Sequence, residues 1–495
     1  MDIVLETCPA PVCNLTPRDV SDLLDHRAAY HAHFVEAFTR CEQARWAEIY
    51  LRGLLSDCER KSCEPLALHL GVPIRPLQHF IGQSTWATQP VIAQLQLMVG
   101  ASLGQEDGVF LVDESGVVKQ GHDSVGVDSQ YCGSVGKVAR SQVGVYLAYA
   151  SGKGYTFLDC QLFVPEDWFT DAYADKRLST EMPATLESKS KPEIALELLA
   201  RAVARGHAPG RWLAADALYG NSPAFRDGVA ALKLYSFTAV SCDTLIWRRQ
   251  VALIVPTYSG KGRKPVRLRL KTPTNAPYRV DELAKRLPKR AWKRTTIKEG
   301  SKGPLVCDVV MVRVNEAREG LPGPRLWLVI RRNVADPTDV RYYLSNAPEE
   351  TTEAELARML GMRWPVELTF EQGKQEVGRD AYEVRSWQGW HHHMLMVMLA
   401  HHFLVWVRLL WKEQAPALTL NQVRVLLTSV LPRLVFEAER ALELVAYYQR
   451  RNHAAYLSHR KRTLKKLAAV AEQEAQKRLR YPGRPPKSHP APATL

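Results

Sequence analysis

RWPVELTFEQGK, residues 363–374, places Arg363, Glu367 and Lys374 at intervals of four and seven. In a helix those intervals bring all three side chains onto one face. A carboxylate between two cations on one surface suits a site that holds metal against a phosphodiester. Two apolar stretches upstream, GVFLVDES and WLAADALYG, each run into an aspartate, Asp113 and Asp216. An acid placed after an apolar run emerges where the core meets solvent, its position fixed by the strand. Glu371 lies one turn beyond Glu367, and Glu376 is another acid of the same segment. Periodicity alone leaves these acids open, because an exposed helix with i,i+4 charge pairs reads the same way.

Outward from these acids, residues 20–98 carry apolar and aromatic positions at helical spacing, broken at Gly71, Pro73 and Pro76. The spacing predicts an N-terminal helical domain over 1–100, basic around Arg60 and Lys61. DNA-end binding is one reading of it, and a packing or dimerisation module is the other. From Gly108 the pattern changes to strands in GVFLVDES, KVARSQVGVYLAYAS and YTFLDCQLFV. KPEIALELLARAVARG follows as an amphipathic helix ending at Gly206. Three strands, a helix and further strands is the order of an RNase H-like core, here in two parts, 101–242 and 349–415. The parts are separated by a β-rich insertion over 243–348, with VALIVPTY, KPVRLRLK, LVCDVVMVRV, PRLWLVIRR and VRYYLSN as its strands. A C-terminal helical region over 416–480 and a Pro-rich basic tail over 481–495 complete an α/β chain. A flexible tail is the plainer reading of PGRPP than a minor-groove hook.

The formal net charge of +14 points to a polyanionic partner. Residues 248–298 hold sixteen Lys and Arg against Asp281 and Glu282, and residues 449–488 hold twelve against Glu472 and Glu474. Positive charge confined to two segments, with an acidic remainder, argues for dedicated nucleic-acid surfaces. Nine cysteines in 495 residues form no disulfide framework, and Cys58 and Cys63 lack a second pair at finger spacing. Reduced thiols in a cytosolic protein are the reading taken. MLMVMLAHHFLVWVRLLW approaches membrane-span length, but His401, His402 and Arg408 interrupt it and a buried core helix is expected. His391, His392, His393, His401 and His402 read as packed histidines rather than ion ligands. GSVGKV lacks the full spacing of a phosphate loop.

Arg363-x₃-Glu367-x₆-Lys374 resembles the Tyr-Arg-Glu-Lys signature of bacterial insertion-sequence transposases of the DDE type. LVDESGVVKQGHDSVGVDSQYCGSVGKV, AADALYG, GRKP and EVGRDAYEVRSWQGWHHHM are similar to one branch of that group. The resemblance covers roughly residues 34–410. It implies an RNase H-like catalytic domain with Asp113, Asp216 and Glu367 as the metal-binding triad, holding two Mg²⁺ with Mn²⁺ able to substitute. It implies cut-and-paste transposition on double-stranded DNA, by a homodimer with no membrane association, in the bacterial cytoplasm at the nucleoid. Arg363 and Lys374 would then clamp backbone phosphates, and Trp247 would stand where some relatives stack a flipped base, although a core tryptophan is the plainer reading of it. Lys119 and Lys137 are further DNA contacts by this reading, as are Arg263, Lys264 and Arg267 in the basic insertion. The signature's tyrosine is Leu360 here, which removes one expected phosphate contact. Two other functions compete: a DNA-binding protein that has lost catalysis, and an RNase H-like nuclease without strand transfer.

Overall fold

The computed structural model describes residues 12–258, 263–300, 303–432 and 438–480. The Pro-rich tail expected at 481–495 lies outside the described residues. The chain divides into two compact units at Pro432/Arg433.

The first unit opens with six helices, α1 (Pro17–Ser21), α2 (Leu23–Ala32), α3 (Cys41–Leu55), α4 (Cys63–Leu70), α5 (Ile74–Gly82) and α6 (Thr88–Leu103). Gly71, at φ 67°, closes α4 in the left-handed conformation that glycine adopts without a Cβ penalty. Strands β1 (Val109–Val118), β2 (Asp128–Cys132), β3 (Lys137–Ser151) and β4 (Gly154–Phe163) follow. After α7 (Ala174–Ser179) comes α8 (Lys191–Arg205), which has a Ser190/Glu193 capping box and the expected stop at Gly206. Next are β5 (Trp212–Ala215), α9 (Ala217–Gly220), α10 (Pro223–Ala231) and β6 (Tyr235–Val240). The core order is β4-β3-β1-β5-β6, with β1 antiparallel to β3 and parallel to β5. This is the RNase H-like arrangement expected from the sequence.

The insertion supplies β7 (Leu245–Trp247), β8 (Leu253–Ile254), β9 (Arg269–Leu270), β10 (Tyr278–Arg279), α11 (Val280–Arg286), β11 (Lys293–Gly300), β12 (Gly303–Arg318), β13 (Leu321–Asn333) and β14 (Val340–Ser345). It is not a separate sheet. β14 pairs antiparallel with β6, so core and insertion share one twelve-stranded sheet. VALIVPTY and KPVRLRLK, expected as full strands, form only the two-residue ladder β8–β9. Gly/Pro/Lys-rich surroundings give those segments too few apolar positions to bury.

Helices α12 (Glu353–Met362), α13 (Trp364–Gln375), α14 (Trp387–Leu410) and α15 (Leu420–Val430) complete the unit. Among the described residues α14 is the one helix long and apolar enough to cross a membrane, yet most of its apolar window is buried in the protein. It packs against β4, α3, α5, α6 and α15, so the N-terminal helices and the catalytic core close over a common cluster. The second unit contains α16 (Ala438–Arg480), an exposed helix bearing Arg450, Arg451, Arg460, Lys461, Arg462, Lys465 and Lys466.

The α14 histidines are packed and hydrogen-bonded. His402 meets the Tyr30 hydroxyl at 3.0 Å and Ser102 at 3.1 Å, and His393 meets Tyr50 at 2.8 Å and the Gly378 carbonyl at 3.2 Å. His401 meets Thr156 at 2.9 Å and Gln372 at 3.3 Å. Burial pushes His393, His401 and His402 down to about 3. In the unfolded chain the same rings take up protons near 6.5, so folding stability is full above that pH and is lost as pH falls from 6.5 toward 3. Each histidine should cost roughly 1.4 kcal/mol per pH unit inside that window. Urea unfolding should therefore show lower stability at pH 5.5 than at pH 7.5, and His402→Gln should shrink the difference; equal stability at both values would refute this account.

Candidate active site

Asp113 lies on β1, and Asp216 directly follows β5. Val112 pairs with Ala215 in the parallel β1–β5 ladder, so the next residue on each strand stands beside the other, their backbones roughly 5 Å apart. Asp216 is also the N-cap of α9, its carboxylate accepting from the Leu218 amide at 2.9 Å. Gly220 lets that short helix lie on β6: a Cβ there would stand 1.8 Å from the Ala239 carbonyl oxygen.

Arg363 and Glu367 are brought in by the α12–α13 junction. Arg363 ends α12 and precedes α13, where Pro365 occupies the first turn and removes an amide that would have had no helical partner anyway. Val366, Thr369 and Gly373 form the buried face of α13, and a Cβ on Gly373 would touch Phe157 of β4 at 3.2 Å. That close seating turns the Arg363 and Glu367 side chains toward β1. Arg363 Nη1 is 3.5 Å from Asp113 Oδ2, and Arg363 Nη2 donates to Glu367 Oε1 at 2.6 Å. The guanidinium therefore bridges two of the three acids, Asp113 and Glu367. Among the described residues no three His, Cys, Asp or Glu side chains, as placed, form a ready-made ion site.

The electrostatics record the crowding. Burial first, then the neighbouring Asp216 charge, pushes Asp113 up to about 8, against the pull of Arg363. Asp216 is raised too, by burial and then by Glu114, again opposed by Arg363. Glu114 is the acid that sequence reasoning missed. Its carboxylate holds Lys191 Nζ at 3.0 Å and accepts from the buried Tyr219 hydroxyl at 2.9 Å. Adjacency to Asp113 was its only sequence signal, and no local pattern in the chain brings Lys191 or Tyr219 to it.

The other acids of the 363–376 segment part company. Glu371 is exposed and pairs with Gln375 at 3.2 Å, whereas Glu376 is buried against Arg424 at 2.6 Å and Asn421. Lys374 is exposed in the last turn of α13 and pairs with Asp380 at 3.1 Å. Lys137, Arg263, Lys264 and Arg267 are exposed.

Burial decides three positions. Trp247 is only 3% exposed, so its indole offers no face to a flipped base and the plainer reading of a core tryptophan holds. Lys119 is folded over the Tyr382 ring at 3.4 Å and donates to its carbonyl at 3.0 Å, which engages the ammonium inside the protein. Lys61, expected on a basic surface, is buried and donates to the Leu54 and Ser56 carbonyls at 2.6 Å each; Arg60 pairs with Glu383. The aromatic side chain that does stand open near the acids is Trp364, 50% exposed, with Lys298 Nζ 5.0 Å from its ring centroid.

The family described as DDE superfamily endonuclease matches residues 33–304, more than half of the chain. The chain belongs to that family. Asp113 and Asp216 fall inside the matched residues, and Arg363, Glu367 and Lys374 fall beyond them. The chain is also 28% identical over 173 residues to a protein of Microchaete diplosiphon named as a probable transposase for insertion sequence element IS701. That similarity covers 34% of this chain and 41% of the relative, so the chain spans about two fifths of the relative's length.

The mutual repulsion of the two aspartates is directly measurable. Asp216→Asn removes a negative neighbour and should lower the Asp113 pKa from about 8 toward the ordinary carboxylate range. Carbon-detected NMR titration reads it, and an unmoved Asp113 would show that the two carboxylates do not face each other.

Proposed function

We propose that this chain is a cut-and-paste DNA transposase, which cleaves at the ends of an insertion sequence and joins the freed ends to target DNA. The observation that carries the reading is the side-by-side placement of Asp113 and Asp216 on neighbouring parallel strands, linked to Glu367 through Arg363. Membership of the DDE endonuclease family supports it, as does the name of the relative from Microchaete diplosiphon.

The donor set fits a hard divalent cation, because Asp113, Asp216 and Glu367 offer only carboxylate oxygens and two of them repel each other unless a cation intervenes. Mg²⁺ is the expected ion, as a pair, with Mn²⁺ able to substitute. Such ions, when bound, activate the attacking water or 3′-hydroxyl and stabilise the leaving oxygen. The chain's own residues do the rest. The middle of β1 fixes Asp113 and the end of β5 fixes Asp216, while α13 delivers Glu367. Arg363 and Lys374, on the face of α13 that carries Glu367, position backbone phosphates. Trp364 takes the role first expected of Trp247, offering an open ring to an unpaired base. Lys137, Arg263, Lys264 and Arg267, with the cations of α16, supply sequence-tolerant attraction that weakens steeply with salt. Joining two ends requires two active sites, and a homodimer working on DNA in the bacterial cytoplasm meets that requirement.

Asp113→Ala, Asp216→Ala and Glu367→Ala should each lower Mg²⁺-dependent cleavage of end-bearing DNA by at least about 100-fold, with binding of the same duplex retained. Activity in Glu367→Ala alongside a dead Glu371→Ala would displace Glu367 as the third acid. Cleaved ends without joined products would replace transposition by a nuclease activity, and binding without cleavage in the unaltered protein would leave a DNA-binding protein.

A further inference from the structure

The guanidinium of Arg363 spans two of the three acids. Nη1 lies 3.5 Å from Asp113 and Nη2 lies 2.6 Å from Glu367. The Glu367 oxygen held at 2.6 Å has its lone pair directed at the donor, so it is not offered to an ion, whereas Asp113 is held by a looser ion pair. Glu367 is thereby kept in an i,i+4 pair with the arginine that precedes its helix. Arg363 itself is not locked in. It stands at the junction of two helices, half-buried, and its long side chain has solvent on one side.

We infer that Arg363 is a positioning residue that exchanges with the divalent ion. It neutralises Asp113 and Glu367 while the site is at rest, and it gives up both carboxylates when the ion loads. The released guanidinium then lies on the α13 face where a DNA phosphate arrives, so one side chain serves the acids and the substrate in turn. The inference rests on the metal-dependent reading above. Its thermodynamic consequence is competition: Arg363 and the ion share ligands, so each weakens the other's hold. Ion loading and phosphate engagement therefore favour each other, and by linkage the favour is reciprocal.

The test is Mn²⁺ binding to the DNA-free full-length chain, read by electron paramagnetic resonance and by the Mn²⁺-induced rise in Tm. Arg363→Met removes the competing charge while keeping side-chain length. It should bind Mn²⁺ about tenfold tighter than the unaltered protein, with a larger Tm rise from a lower metal-free starting point. Arg363→Lys keeps the charge but not the two-pronged grip. It should be intermediate, and it preserves the comparison should Arg363→Met fail to fold. Asp113→Asn marks which binding belongs to this site. If the arginine variants bind Mn²⁺ no more tightly than the unaltered protein, while Asp113→Asn abolishes that binding, the exchange is wrong and the metal site stands. If no variant shows Mn²⁺ binding that depends on Asp113, the exchange and the metal-dependent reading fall together.

Discussion

Two carboxylates set side by side on neighbouring parallel strands dominate this molecule. Acids on adjacent strands in a half-buried setting repel when both are charged unless a cation stands among them. The β1–β5 ladder holds Asp113 and Asp216 in that position, and neither strand can relax without breaking the sheet. Arg363 answers the repulsion from α13. Burial and crowding that keep Asp113 near 8 work against the fold, and such opposition is commonly found where a site is built for chemistry.

The surrounding architecture makes that arrangement rigid. β6 is shared between core and insertion, so the long hairpin strands β12 and β13 brace the β5 edge of the site through β14. On the opposite side α14 fills the space between β4 and the N-terminal helices, with its histidines acting as neutral hydrogen-bonding members of an apolar core. The N-terminal helices are consequently part of the catalytic unit's core rather than a module that could be detached from it. α13 is seated on β4 by the smallness of Gly373, which sets the depth at which Arg363 and Glu367 reach the aspartates.

Much of this was legible in the chain. Asp113 and Asp216 announced themselves because an apolar run that ends in an acid marks the point where a strand leaves the core. The i,i+4 spacing of Arg363 and Glu367 survived into the structure as an ion pair. Gly206 ended its helix as expected. The sequence left Trp247 open between core and surface and misplaced Lys119 and Lys61, for one shared reason. Tryptophan and lysine side chains are amphipathic, and the local sequence does not say whether a ring or an ammonium will be enclosed by residues hundreds of positions away. Glu383, Tyr382 and Arg424, which surround or neighbour these lysines and acids, are all distant in sequence.

By itself the sequence determined most of the elements and their order, because periodicity and capping are local properties. Only the tertiary structure decided which of Glu367, Glu371 and Glu376 approaches the aspartates, that Glu114 joins them, and that the insertion continues the core sheet. Those outcomes depend on rotation and depth of one helix against a sheet, set by contacts such as Gly373 on Phe157. Helical spacing fixes a face, but packing alone fixes where that face points.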